Sequence, residues 1–293
     1  MKKNVFHFVL CSLIRTFVAV MEYTVNCNGR LLSLEAPQVM GILNVTPDSF
    51  YADSRKQTER EVAERAVQIM EEGGSIIDVG ACSTRPGSEP VSEAEEADRL
   101  RRALTIVRRE VPEALVSVDT FRPNIARMVV EDFGAAIIND VGAPANVQHS
   151  AGNAQHSMFR MVSRLHVPYI YMSRGATMRE VLLDCAEVVD CLRSMGQKDI
   201  ILDPGFGFGK TLEQNYEVMA ALEQMQMLKL PILVGISRKS MIFRLLETEA
   251  AQTLNGTTAL NTTALLKGAS ILRVHDVREA VECIRITKAL KGR

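Results

Sequence analysis

The chain has 293 residues, of which 47% are hydrophobic, enough to bury a large core in one domain or two smaller ones. Its net charge of −1 at pH 7 shows no excess of basic residues, and only 5% of the residues are aromatic, so neither nucleic acid nor an anionic membrane is predicted as a partner. A small-molecule function is the better expectation.

The first residues differ from the rest of the chain. Lys2 and a second lysine precede an apolar run that Arg15 interrupts, which gives only a weak likeness to a signal peptide. Met21 opens a fresh segment, so residues 1–20 are predicted to be a start-site extension or weak signal-like segment, and residues 21–293 to form one domain. The six cysteines lack metal-ligand spacing and are predicted to be reduced thiols of a cytoplasmic protein.

The order of the predicted elements indicates an α/β fold. Residues 23–34 hold two alternating runs around Asn28 and Gly29, the pattern of a β-hairpin. Eight short apolar runs follow, at residues 39–45, 75–81, 115–120, 135–141, 167–172, 199–205, 231–237 and 270–277. Helix-like stretches lie between them, for example at 58–73, 92–111, 122–133, 211–228 and 277–290. Since most strands are apolar throughout, we predict a closed (β/α)8 TIM barrel, with an open doubly wound sheet as the alternative.

The stretch 199–211 carries an abrupt change from strand to turn. The apolar run ends at Asp203, and Pro204 with three glycines stops it. A P-loop would need glycine in place of Pro204, and the evenly spaced glycines do not match a dinucleotide fingerprint, so both nucleotide motifs fail. A tight β-to-α turn explains the glycines, but it does not explain the carboxylate at the strand tip.

Polar residues follow seven of the predicted strands, at the barrel end where such enzymes carry their active sites. They are Asn44, Ser83-Thr84-Arg85, Asp119, Asn139-Asp140, Asp203, Ser237-Arg238-Lys239, and Arg273 with His275. One or two could be helix or loop caps, Arg273 a strand-end ion pair and His275 a structural histidine. Together, the Asp and Asn side chains suit a heterocycle with N–H and NH2 donors, and the cations with Asn44 suit a phosphate or pyrophosphate with Mg2+.

Several ordered motifs from residue 39 to the C-terminus resemble the dihydropteroate synthase family. They are 41–50 (GILNVTPDSF), 78–87 (DVGACSTRPG), 117–120 (SVDT), 138–140 (IND), 202–210 (LDPGFGFGK), 234–241 (VGISRKSM) and 273–276 (RVHD). The resemblance implies condensation of 6-hydroxymethyl-7,8-dihydropterin diphosphate with 4-aminobenzoate to 7,8-dihydropteroate and pyrophosphate, in folate synthesis. It also implies a homodimer built on the late helices and a target for sulfonamides.

The resemblance assigns roles to individual residues. It implies that Asp119, Asn139, Met172, Asp203 and Lys239 hold the pterin ring. It further implies that Asn44 binds Mg2+ on the diphosphate and that Arg273 and His275 hold that anion. The residues expected to frame 4-aminobenzoate are Thr84, Arg85, Pro86, Phe208 and Ser237. Among all the residues to which the resemblance assigns a role, the expected catalytic residues are Asp119, Lys239, Asn44, Arg273 and His275.

The chain departs from the family pattern in three places. Residues 51–55 replace the usual Asp-Gly-Gly and leave Asp53 one position late. After strand five, residues 171–175 replace Met-His-Met, and the next helix is expected to be shortened, which would thin the barrel wall. Residues 142–156 are predicted to be a loop with solvated His149 and His156.

These departures leave a second function open, a catalytically weak paralogue that binds pterin. A pterin-dependent methyltransferase on a similar barrel is less favoured, because it would not be expected to keep the Ser-Thr-Arg-Pro stretch at 83–86 or the residues for a diphosphate.

Overall fold

The computed structural model describes residues 23–45, 55–82, 91–142 and 151–292. Residues 1–20, most of 51–55, Thr84 to Pro86 and His149 therefore lie outside the described residues. Within the described part, an antiparallel hairpin is followed by parallel strands that alternate with helices.

A short hairpin covers one end of the barrel. Strands β1 (Thr24–Cys27) and β2 (Arg30–Ser33) pair across Asn28 and Gly29, whose φ angles of 53° and 88° suit a tight Asn-Gly turn. Val25 of β1 is fully buried in one cluster with apolar side chains from the starts of the barrel strands. The predicted hairpin is confirmed, and it plugs the barrel at the end opposite the strand tips.

Eight strands form the barrel wall, and all of their pairings are parallel. They are β3 (Gln38–Asn44), β4 (Ile76–Gly80), β5 (Leu115–Asp119), β6 (Ile137–Asp140), β7 (Tyr169–Met172), β8 (Ile200–Asp203), β9 (Leu233–Val234) and β10 (Ile271–Val274). Their order is β8-β7-β6-β5-β4-β3-β10-β9, and a parallel bridge from Leu202 to Ile232 joins the two ends of that order. The TIM barrel is therefore confirmed, and the open doubly wound sheet is wrong for this chain.

Helices surround the wall and follow the strands in turn. They are α1 (Arg55–Glu71), α2 (Glu93–Glu110), α3 (Pro123–Phe133), α4 (Ala151–Leu165), α5 (Met178–Ser194), α6 (Leu212–Ala220), α7 (Ser240–Leu245), α8 (Leu254–Leu266) and α9 (Val277–Leu290). Among the described residues, no helix combines the length and the apolarity needed to span a bilayer.

The expectation of a shortened helix after strand five is wrong. Helix α5 has 17 residues, close to the 18 of α2, and it begins at a capping box formed by Thr177 and Glu180. The missing length falls in the connection instead, since only residues 173–177 separate β7 from α5. Strand β7 pairs with a neighbour on each side, so the wall is not thinned.

Three boundaries also differ from the predicted ones. The helix predicted over 211–228 is divided into α6 and a 3-10 helix (Leu222–Leu228), because Ala221 leaves the helical conformation without a Gly or Pro to signal the break. The strand predicted over 231–237 is limited to Leu233–Val234, with an isolated bridge at Ile232 before it. His156 belongs to α4 rather than to a loop, although its side chain is exposed as expected.

Candidate active site

Alternation along the parallel strands divides the barrel interior into an apolar floor and a polar layer above it. Successive side chains of a strand point to opposite faces, so residues two apart share the inner face. The inward pairs are Ile76 with Asp78, Leu115 with Ser117, Ile137 with Asn139, Ile201 with Asp203, and Ile271 with Arg273. Asp119, two residues beyond Ser117, is the register partner of Asn139. The polar layer therefore collects residues from five strands at the carboxyl end of the barrel.

A charged network occupies the centre of this layer. The Arg273 guanidinium donates from Nε to Asp78 Oδ2 at 2.6 Å and from Nη2 to Asp119 Oδ2 at 3.0 Å. The Asn139 side chain donates from Nδ2 to the same Asp78 oxygen at 3.1 Å. Asp78 and Asn139 are fully buried, whereas the Asp119 side chain keeps 14% of its exposure. The strand-end ion pair considered for Arg273 is thus present, and two carboxylates share the cation.

Three buried polar atoms near this network have no hydrogen-bond partner among the described residues. They are Asp78 Oδ1, Ser117 Oγ and Asn139 Oδ1. An unpaired buried acceptor is unfavourable, and most buried polar atoms in folded proteins are satisfied by protein groups or water. The layer therefore suits a ligand that brings N–H donors into the barrel.

The electrostatics of the layer raise the pKa of Asp119. Burial raises the pKa of Asp119 to about 7, with Arg273 opposing the shift and Asp78, Asp140 and Glu96 adding to it. Near pH 7 this carboxyl is therefore poised between its two protonation states, and a cationic ligand would favour the ionised one.

The connection from β8 to α6 holds the second carboxylate, Asp203. Its Oδ1 accepts from the backbone N–H of Gly205 at 2.8 Å. Gly205 has φ 73°, and a Cβ at this position would lie 2.1 Å from the backbone oxygen of Ser173. Only glycine allows this close approach, so the ends of β7 and β8 fix the carboxylate together.

Lys239, which follows β9, reaches across to the same connection. Its Nζ donates to the backbone oxygen of Phe206 at 2.6 Å and lies 4.6 Å from the centroid of the Phe208 ring. Burial lowers the pKa of Lys239 to about 8, although Asp203 favours its charged form. Burial also raises the pKa of Asp203, with Lys239 as the main opposing influence. The Lys239 ammonium and the Asp203 carboxylate thus lie beside the half-buried ring of Phe208.

The mouth of the barrel carries the remaining predicted residues. Asn44 is exposed at the end of β3, and a Cβ on neighbouring Gly80 would lie 3.3 Å from its Oδ1. The backbone N–H of His275 donates to Ser237 Oγ at 3.2 Å. Burial, followed by the positive charge of Arg238 and Arg273, lowers the pKa of His275 to about 4, so the free protein holds it neutral at pH 7.

Three further residues differ in how they lie relative to the cavity. Met172 is buried and is the register partner of Asp203, whereas Asp140 points away from the cavity and accepts a hydrogen bond from Tyr169. Asp78 was not predicted as a site residue, although it lies in the 78–87 motif. Its signal was available, since a single acidic residue two positions after Ile76 interrupts an otherwise apolar strand.

A buried ion pair and a second arginine of the same region hold the described residues on either side of residues 83–90. Glu96, fully buried on α2, pairs with Arg122, which also donates to the backbone oxygen of Val91 at 2.6 Å. Arg99 of the same helix donates to the backbone oxygen of Ala81 at 3.0 Å. Both attachment points of the 83–90 segment are therefore tied to α2.

Comparisons with known proteins agree with this geometry. A family model described as "Pterin binding enzyme" matches residues 40–275. The dihydropteroate synthase of Escherichia coli (strain K12) is 36% identical over 276 residues, which cover 89% of this chain and 94% of that protein.

Solved structures extend the likeness to three dimensions. The Xanthomonas albilineans dihydropteroate synthase with 4-aminobenzoic acid has a TM-score of 0.81 at 34% identity, covering 93% of this chain and 99% of that chain. A Xanthomonas albilineans dihydropteroate synthase in complex with 7,8-dihydropteroate has a TM-score of 0.76 at 32% identity, covering 92% of this chain and 99% of that chain.

Proposed function

Because the chain belongs to the dihydropteroate synthase family, we infer that it joins 6-hydroxymethyl-7,8-dihydropterin diphosphate to 4-aminobenzoate and releases pyrophosphate. It is a transferase of alkyl or aryl groups that forms 7,8-dihydropteroate for folate synthesis. The observation that carries the inference is the polar layer, where buried carboxyl and amide acceptors lie beside Lys239 above an apolar floor.

We propose that the pterin ring lies on this polar layer. Asp203 accepts from neighbouring N–H and NH2 donors of the ring, and Asn139 Oδ1, which has no partner among the described residues, accepts from another. Lys239 faces a ring nitrogen or carbonyl, and Met172 packs against the ring. A fused heterocycle with several donors would satisfy acceptors that the protein itself leaves unpaired.

The diphosphate is proposed to lie at the mouth, above Arg273 and His275. Its negative charge would raise the pKa of His275 from about 4, so that the imidazole takes up a proton as the anion binds. Asn44 fits as a ligand of Mg2+ because it is exposed at the carboxyl end of β3, and Mg2+ commonly takes only one or two protein oxygens along with phosphate oxygens and water. The ion would neutralise charge on the leaving diphosphate.

The residues of the polar layer would stabilise the charges that develop during the reaction. The bond between the pterin CH2 and the diphosphate oxygen breaks, which leaves positive charge on the pterin and negative charge on pyrophosphate. Asp119 lies where it can stabilise the positive charge, and Arg273 and His275 can stabilise the negative charge. The aromatic amine then attacks the CH2 group and loses its proton, so no nucleophilic side chain is needed.

We propose that 4-aminobenzoate is framed by Thr84, Arg85, Pro86, Phe208 and Ser237. Support comes from the half-buried Phe208 ring and from Ser237, which lies beside His275 at the mouth. Sulfonamides, which mimic this substrate, would compete at the same position.

The assembly and location are also proposals. Several large apolar side chains are exposed on adjoining helices α8 and α9, including Leu266, Ile286 and Leu290, and such a surface supports a homodimer. Sedimentation of the full chain and of Ile286→Lys would test the homodimer, and a wild-type monomer at assay concentration would contradict it.

A cytoplasmic location is supported by the free state of the cysteines among the described residues.

The decisive experiment measures pyrophosphate release by the full chain given the dihydropterin diphosphate, 4-aminobenzoate and Mg2+. Turnover should be lost in Lys239→Ala and kept in Lys198→Ala, because Lys198 is exposed just before β8 at the plugged end of the barrel. If the folded wild type binds the pterin but releases no pyrophosphate, the protein is instead a pterin-binding paralogue without synthase activity.

A further inference from the structure

Asp78 is a buried carboxylate to which the proposed reaction assigns no role. It lies on the inner face of β4, below Asn44 and Gly80, and has no exposed surface. Its Oδ2 accepts two hydrogen bonds at once, from Arg273 Nε and from Asn139 Nδ2. A residue that connects a cation and an amide of the same layer could fix the geometry of both.

The chemistry of these bonds sets the orientation of the Asn139 amide. An ionised carboxylate only accepts hydrogen bonds, so the Asn139 atom that faces Asp78 has to be the NH2 nitrogen. The carbonyl oxygen of the same amide is then turned away from Asp78, and it is fully buried without a partner among the described residues. Rotating the amide by 180° would bring two oxygens together and would lose the bond.

We propose that Asp78 is a positioning residue, which holds the Asn139 amide so that it offers an acceptor, and not a donor, to the ring of the ligand. The proposal rests on the proposed function, because it concerns how the synthase recognises its pterin. Arg273 completes the arrangement. Its Nε binds the same oxygen of Asp78, while its Nη2 binds Asp119, so one cation fixes the carboxylate that fixes the amide.

The arrangement predicts specificity for ligands with a donor opposite Asn139. A heterocycle that carries N–H or NH2 there gains a hydrogen bond, whereas one that carries an acceptor or a methyl group leaves a buried oxygen unpaired. A site built to bind a donor rejects analogues that lack it, because its own polar group is then left without a partner. Without Asp78, the amide could rotate and accommodate either kind of ligand.

The test measures the dissociation constants of three probes: 6-hydroxymethylpterin, its N3-methyl derivative and its 2-desamino derivative. Asn139→Ala identifies the donor opposite Asn139, as the one whose removal weakens binding by a smaller factor in that variant than in wild type. In wild type that removal should weaken binding at least about tenfold. In Asp78→Ala the factor by which the same removal weakens binding should be at least about threefold smaller than in wild type, because the amide is no longer held in one orientation.

Asp78→Asn is the matched control. Arg273 Nε is a donor, so it holds the oxygen of the new amide at the position of Oδ2, where that oxygen still accepts from Asn139. The variant should therefore keep the wild-type discrimination although it has lost the negative charge. A merely structural role for Asp78 would instead weaken all three probes by the same factor in Asp78→Ala.

Three results would overturn the proposal. The first is full wild-type discrimination in folded Asp78→Ala, and the second is a set of probes in which Asn139→Ala changes no ratio. The third needs no variant: a neutron structure of the wild-type protein that shows the Asn139 oxygen, rather than its deuterated nitrogen, facing Asp78. Absence of any pterin binding by wild type would instead refute the proposed function.

Discussion

Replacing Gly205 by alanine should destabilise the protein and weaken binding of the pterin substrate. A left-handed φ such as the 73° of Gly205 costs a non-glycine residue about 1–2 kcal/mol. The new Cβ would also lie 2.1 Å from the Ser173 oxygen, and the two would have to separate by about 1.3 Å to reach the 3.4 Å of ordinary contact. Overpacking of this kind adds about 1–3 kcal/mol, so urea unfolding should show a loss of about 2–5 kcal/mol.

Gly209 of the same connection provides the matched control. It has φ 67°, but no atom lies within 4 Å of the position that its Cβ would take. Gly209→Ala should therefore lose only the conformational part, about 1–2 kcal/mol. Gly205→Ala should in addition raise KM for the pterin diphosphate, because its N–H holds Asp203 and the adjacent Phe206 oxygen holds Lys239. Equal losses of stability in the two variants would refute the close approach of β7 and the β8 connection.

Three further predictions concern charged groups. Because the pKa of Lys239 is lowered to about 8, its ammonium loses its proton as pH rises through 8, and pterin affinity measured by fluorescence should fall there but not in Lys239→Met. Because the pKa of His275 is about 4 in the free protein, pyrophosphate binding at pH 6 should be accompanied by proton uptake. Calorimetry in two buffers of different ionisation enthalpy measures that uptake, and an unchanged value in His275→Gln would contradict the assignment. Breaking the buried Glu96–Arg122 pair with Glu96→Gln should lower the free energy of unfolding by about 3–5 kcal/mol, while Glu64→Gln, in an exposed pair, should have no measurable effect.

The barrel and much of its polar layer could be predicted because the inner face of a parallel strand has a simple period. Asp119, Asn139 and Asp203 each end an apolar run, and the closed ring of strands brings such ends together. Asp78 was missed for a related reason. It lies in the middle of its run rather than at the end, and the role proposed for it follows from contacts with β6 and β10, which are distant in the sequence.

The boundaries of helices were predicted wrongly where tertiary contacts override the local sequence pattern. Nothing in the composition of residues 211–228 marks the change from α6 to a 3-10 helix. The missing length after strand five was assigned to the helix, yet α5 has 17 residues and the connection before it is short instead. Loops vary in length more readily than the elements that they join.

Among the described residues, the hairpin covers the amino-terminal end of the barrel, which leaves the end with the strand tips for ligands to enter. With Val25 and its neighbours closing the floor, the pterin would rest at the bottom of a blind cavity, and everything above it would share one route to solvent. Whichever molecule lies deepest would have to enter first and leave last. The order of substrate addition and product release would then follow from the shape of the cavity alone, whatever the affinity of each molecule.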